Sequence, residues 1–131
     1  MEALINIDVP ELESAIAFYQ RAVGLKLVRL LFGGTVAELS GASLRIMLLQ
    51  KGTGSAAAPC VPMPRDYRRH WTPVHLDFVV AHIETAVRQA VAAGALLERP
   101  TQDFEWGRQA CLSDPFGHGF CLLEWKNGGY R

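Results

Sequence analysis

The sequence has no surplus of charge. Thirteen lysines and arginines balance thirteen aspartates and glutamates, so the formal net charge is zero. Broad nucleic-acid binding needs an excess of basic residues to neutralise phosphates, and no nucleic-acid partner is expected. Long apolar runs are also missing. None reaches the roughly 18–20 residues that a membrane-spanning helix needs, so no membrane association is expected. No basic stretch leads into an apolar one at the N-terminus, so no secretion signal is expected. Cysteine is scarce and odd in number, at Cys60, Cys111 and Cys121. A chain of 131 residues that is half apolar can bury its own core. The three thiols therefore read as reduced cysteines of a cytoplasmic protein, not as a disulfide framework.

What the sequence does have is a repeat. "PVHLDFVVAHIETAV" (Pro73 to Val87) echoes "LINIDVPELESAI" (Leu4 to Ile16) about seventy residues earlier. Leu76 falls on Ile5, Phe78 on Ile7, Val80 on Val9, Ile83 on Leu12, Glu84 on Glu13 and Ala86 on Ala15. His75 falls on Leu4, a mismatch in kind.

The pattern continues past the echo. "INIDV" alternates apolar and polar residues, as a strand with one apolar face does. Pro10 opens "PELESAIAFYQRAVG", in which Leu12, Ile16, Tyr19 and Val23 recur at helical spacing and Gly24 supplies the stop. "LKLVRLLF", "TVAELS" and "SLRIMLLQ" read as three strands, the last set off by a turn at Gly41. The second half repeats this order. "VHLDFVV" is a strand, and "HIETAVRQAVAAG" is a helix with Ile83, Val87 and Ala90 inward and Gly94 as the stop. "ALLERP", "RQACLS" and "GFCLLEW" are three further strands, with "DPFGHG" as a turn in which proline fixes φ and glycine accepts positive φ. The expected class is α+β: a single domain of residues 1–131 built from two tandem βαβββ modules, residues 1–50 and 73–131. Between them residues 51–72, "KGTGSAAAPCVPMPRDYRRHWT", read as a structureless linker. Two readings of it stand. It is a solvated connector, or it is a lid or dimer contact that brings Tyr67, His70 and Trp71 near a pocket mouth.

Strand parity divides the residues between two faces. If Ile5, Ile7, Leu76 and Phe78 pack under the helices, then Leu4, Asn6, Asp8, His75, Asp77 and Val79 face the other way. A turn at Gly41 and Ala42 would put Leu39 opposite Leu44 and Glu38 opposite Arg45, an ion pair on the face of Met47 and Leu49. Its readings are a structural pair or an arginine that receives an anionic ligand group. Leu4, Met47, Leu49, Val79, Cys121 and Leu123 are expected to form an apolar floor. Asn6, Glu38, Arg45, His75 and Asp77 are the polar groups that would orient a ligand. Trp71 and Trp106, at strand ends, are candidates for a pocket rim, for core cover or for a dimer contact.

Paired βαβββ modules with "ELESAIAFYQRAVGL", "VHLDFVV" and "DPFGHGFCLLEW" resemble the vicinal oxygen chelate superfamily, which includes glyoxalase I, extradiol dioxygenases, and fosfomycin- and bleomycin-resistance proteins. The resemblance covers nearly the whole chain and is greatest to the glyoxalase-like branch. It implies a cupped mixed sheet around a cavity, a small organic molecule as partner, and a homodimer. It also implies four metal-ligand positions: Leu4, fifteen residues before Tyr19; Met47, in the last strand of the first module; His75; and Cys121, seven residues after Asp114. Leucine cannot ligate, and a thioether is a poor ligand for hard divalent ions. A His-Cys-Met set would suit only a soft ion such as Cu(I), and apolar lining is the simpler reading of Leu4 and Met47. No metal and no cofactor are expected. His75 then reads as a hydrogen-bonded histidine of a cavity wall, or as a ligand contact or general base. His75, Asp77 and Cys121 are the candidates should there be catalysis, with Cys121 as a nucleophile needing His75 as base.

The expected function is metal-free binding of a small organic ligand, as in bleomycin-resistance proteins. The alternatives are a metal-dependent lyase or dioxygenase of glyoxalase type, and a metal-free enzyme using His75.

Overall fold

A computed structural model describes residues 1–130. The chain folds as two compact units, one of residues 1–20 and 24–68, the other of residues 21–23 and 69 onward. Strand β1 (Leu4–Val9) is followed by helix α1 (Leu12–Val23) and strands β2 (Lys26–Leu31), β3 (Val36–Ser40) and β4 (Arg45–Gln50). Two short strands come next, β5 (Ala56–Ala58) and β6 (Val61–Pro64). The second half runs β7 (Leu76–Val79), α2 (Ile83–Ala92), β8 (Leu96–Asp103), β9 (Gly107–Ser113) and β10 (Gly119–Trp125).

The two halves share one topology. The first unit holds a four-stranded sheet in the order β1-β4-β3-β2, and the second holds β7-β10-β9-β8. In each the first strand runs parallel to the last, and the other neighbours are antiparallel. Both are mixed sheets of a βαβββ module, as the repeat predicts.

Local chemistry explains the helix limits. The carboxylate of Glu11 caps α1 by accepting from the backbone N–H groups of Glu13 (3.0 Å) and Ser14 (2.8 Å). Gly24 ends the helix in the left-handed region, at φ 73°, where a side chain would be strained. α1 buries Leu12, Ala15, Phe18, Tyr19 and Ala22. Ile16 and Val23, expected inward, are only half-buried, because two alanines and Phe18 carry part of that face. α2 buries Ile83 and Ala90.

A second capping device recurs in both modules. Gln50, the last residue of β4, accepts from the Leu12 backbone N–H at 3.0 Å. Glu124, near the end of β10, accepts from the Ile83 N–H at 2.7 Å. Each satisfies one of the orphan donors of a first helical turn.

Two expectations are corrected. Residues 51–72 are not structureless: β5 and β6 pair as a hairpin. Arg65 then ties this segment to β1 through Asp8 (2.6 Å), and the Tyr67 hydroxyl donates to the Lys51 carbonyl at 2.7 Å. The register of β3 with β4 also differs. Glu38 lies opposite Met47 and Leu39 opposite Ile46, not Arg45 and Leu44. The connection spans residues 41–44 instead of a two-residue turn, so β4 is displaced by two residues. An even displacement keeps every side chain on its expected face.

Candidate functional site

Each of the two units holds a group of the sequence candidates. The tightest belongs to the second unit. β7 and β10 run parallel with Asp77 beside Cys121 and Val79 beside Leu123. His75 immediately precedes β7, and its Nε2 lies 3.3 Å from Asp77 Oδ1. One donor atom each from His75, Asp77 and Cys121 lies within 4.8 Å of the other two. The histidine and aspartate side chains are 40% and 33% exposed, whereas Cys121 is 2% exposed. The group therefore has a buried sulfur at its base and two polar tips open to solvent.

Neighbours missed by the sequence complete this face. Cys111 stands opposite Cys121 on β9, with the two sulfurs 3.7 Å apart. Gln109 donates to the Cys121 sulfur at 3.5 Å. The signal is present in "RQACLS" and "GFCLLEW", but the "DPFGHG" turn allows more than one register, so the pairing is not legible there. Burial pushes the Cys121 thiol well above its usual range, with Cys111 and Asp77 adding to the effect. Cys121 is thus a neutral thiol at rest, and it must give its proton to a base before its sulfur can attack, since the thiolate is the reactive form.

Trp71 covers one side of this group. Its ring meets the His75 ring edge-on, with centroids 5.3 Å apart. Its indole N–H donates to Glu98 at 3.1 Å, and the Arg69 guanidinium lies 5.1 Å from its ring centre. Arg69 is also ion-paired with Glu98, whose carboxyl it holds below the usual range. The close seat depends on Gly119: a Cβ there would lie 2.4 Å from Trp71 ring atoms. His70 Nε2 and His118 Nδ1, 3.1 Å apart, join the same segment to the turn before β10.

The candidates of the first unit are arranged otherwise. Glu38 is almost fully buried and is shared by two arginines, Arg29 at 2.6 Å and Arg45 at 3.3 Å. The hydrogen bond from Arg29, helped by Arg45, holds its carboxyl below the usual range despite burial. Arg45 also pairs with Glu2. Arg45 thus meets a carboxylate from each of two partners. Asn6 lies beside Met47 in the parallel register of β1 and β4. Met47 is 8% exposed and Leu4 44%.

Trp106 belongs to neither group. It packs with Phe104, Trp125 and Tyr130. It also lines an open pocket of about 290 Å³ with Glu105, Asn127, Gly129 and Tyr130.

The two parallel registers correspond residue by residue. Asn6 corresponds to Asp77 and Met47 to Cys121, and Leu4 aligns with His75 in the sequence repeat. The second module carries three donor groups where the first carries a leucine, an amide and a thioether. The four family positions do not fit a glyoxalase-type divalent ion, because Leu4 and Met47 offer no hard donor.

A family model described as "Glyoxalase-like domain" matches residues 4–123. The chain belongs to this family. The glyoxalase-like fold is shared with the genomically encoded fosfomycin resistance protein FosX of Listeria monocytogenes, with TM-score 0.72, 18% identity, 97% of this chain and 94% of that one. A glyoxalase/bleomycin resistance protein/dioxygenase family enzyme of Burkholderia phytofirmans PsJN gives TM-score 0.70 at 18% identity, over 94% and 97% of the chains. At these identities the likeness is one of fold. The anthracycline biosynthesis protein DnrV of Streptomyces peucetius is 38% identical over 61 residues, which are 47% of this glyoxalase-like chain and only 21% of DnrV. No helix among the described residues is long and apolar enough to cross a membrane.

Proposed function

We propose that this glyoxalase-like protein binds a small, planar organic molecule on the His75 face of its second sheet, without a bound metal. The carrying observation is the replacement, in the first repeat, of the donors His75, Asp77 and Cys121 by Leu4, Asn6 and Met47. Catalysis of the glyoxalase type uses a metal to polarise substrate oxygens, and Leu4 and Met47, which offer no hard donor at two of the four family positions, argue against one. Binding needs an apolar surface with a few placed polar groups. The ring of Trp71 and the exposed side chain of Val79 supply the first, and His75, Asp77 and Gln109 the second. The partial likeness to an anthracycline biosynthesis protein supports a polycyclic aromatic ligand. Titration calorimetry with an anthracycline in the presence of a chelator tests the reading. Saturable binding that both His75→Ala and Trp71→Ala weaken is expected, and heat unchanged by either substitution would reject it.

The active form is proposed to be a homodimer. The edge strand β2 exposes Leu27, Val28 and Leu30, an apolar edge of the kind natural proteins usually cover. Sedimentation at micromolar concentration is expected to give twice the chain mass. A monomer across a concentration series would overturn this.

A further inference from the structure

The dithiol on the inner strands of the second sheet has a chemistry of its own. We propose that Cys111 and Cys121 are a reversible redox modification site, which a peroxide converts into a cross-strand disulfide.

The geometry is that of a preformed pair. The two residues are direct register partners on β9 and β10, and their sulfurs are 3.7 Å apart. A disulfide needs sulfurs about 2.05 Å apart, and rotation about the side-chain torsions supplies that approach without moving either strand by a register step. The two thiols differ in access. Cys111 is partly exposed, whereas Cys121 is buried, which orders the steps.

The Cys111 sulfur attacks one oxygen of hydrogen peroxide. An S–O bond forms, the O–O bond breaks, and the first water leaves, giving a sulfenic acid. The Cys121 sulfur then attacks the Cys111 sulfur. The S–S bond forms, the S–O bond breaks, and the second water leaves with the proton of Cys121. Asp77, whose carboxylate lies within 4.8 Å of the Cys121 sulfur, is placed to take that proton on its way out. Two thiols lose two protons and two electrons, and one peroxide takes them up to become two waters. The third cysteine, Cys60, is exposed and outside this pair, so it has no resolving partner and serves as an internal control.

Directly opposed strand residues have Cβ atoms about 4.5–5.5 Å apart, wider than the ~3.8 Å mean of a relaxed disulfide. The bridge is therefore strained, and strained bridges are the readily reduced ones. Because Cys121 faces His75 and Asp77, closing the bridge also draws a thiol away from the ligand face. That consequence rests on the binding reading above; the cross-link itself does not.

Peptide mapping of the wild-type protein tests it. Native protein is treated with hydrogen peroxide, denatured, alkylated and digested with trypsin. Gln109 to Lys126 is one tryptic peptide that holds both cysteines, and Cys60 lies in another. The expected product is a Gln109–Lys126 peptide lighter by two hydrogens and without alkyl groups. Prior treatment with dithiothreitol should restore both alkyl groups. In Cys121→Ser, Cys111 should stop at the sulfenic acid and be trapped by dimedone. A wild-type peptide that still carries two alkyl groups after peroxide, when Cys60 has been oxidised, would overturn the proposal. Separate sulfinic acids at both positions with no bridge would do so equally.

Discussion

Asp77 and Cys121 are register partners across the parallel strands β7 and β10, as Asn6 and Met47 are across β1 and β4. The backbone relationship is the same in both repeats and the chemistry is not. A carboxylate beside a thiol stands where the other module has an amide beside a thioether, and His75 stands where the other has Leu4. The two modules thus share a scaffold, and the three-donor group is confined to one of them.

This asymmetry bears on metal content. With Leu4 and Met47 at two of the four family positions, protein purified without added metal should carry well under one equivalent of zinc, nickel, iron or manganese. Elemental analysis checks this. A stoichiometric ion that survives chelation and is lost in His75→Ala would contradict it.

Gly119 should be intolerant of a side chain. A Cβ at this position would meet the Trp71 ring at 2.4 Å, so Gly119→Ala must push the indole off its seat beside His75. Overpacking of this kind costs about 1–3 kcal/mol. Urea denaturation should show the loss, and tryptophan emission should shift to longer wavelength. Unchanged stability and emission would mean that Trp71 is not seated there.

Glu38 should make stability depend on acid. Its folded-state pKa is depressed by the hydrogen bond from Arg29 and by Arg45. A depressed carboxyl adds stability above its unfolded pKa and loses it as the pH falls through the folded one. The difference in urea midpoint between wild type and Glu38→Gln should therefore be largest near neutrality and shrink below the usual carboxylate range. A difference constant with pH would contradict the assignment.

The scaffold is legible in the sequence because its signals are local. Alternation in "INIDV" and "VHLDF", helical spacing from Leu12 to Tyr19, and Gly24 as a stop each follow from neighbouring residues. Their recurrence about seventy residues later places β7 and α2 as well. Parity likewise puts His75 and Asp77 on one face, and the family resemblance adds Cys121. Register is harder, because it depends on turn length. A two-residue turn at Gly41 would place Glu38 opposite Arg45, and the four-residue connection moves it to Met47. For the same reason the Cys111–Cys121 pair cannot be read from the "DPFGHG" turn.

Long-range partners are the least legible. Nothing near Glu38 in sequence points to Arg29 as its nearest cation, since β2 meets β3 through a bulge between Leu27 and Arg29. The hairpin in residues 51–72 is hidden by its composition. Alanines and prolines are poor strand formers, and that segment is tied instead by Arg65 to Asp8 and by Tyr67 to Lys51. Gln50 and Glu124 act as helix caps across tens of residues, a role no local pattern announces.

The second module alone is proposed to carry the ligand face, with no metal needed there. Amide NMR of the labelled protein, titrated with an anthracycline in excess chelator, tests this most directly. Saturable shifts concentrated at residues 71–79 and 109–123 are expected, as is their loss in His75→Ala. Shifts that appear only after a divalent metal is added, or that leave both of those segments untouched, would contradict it.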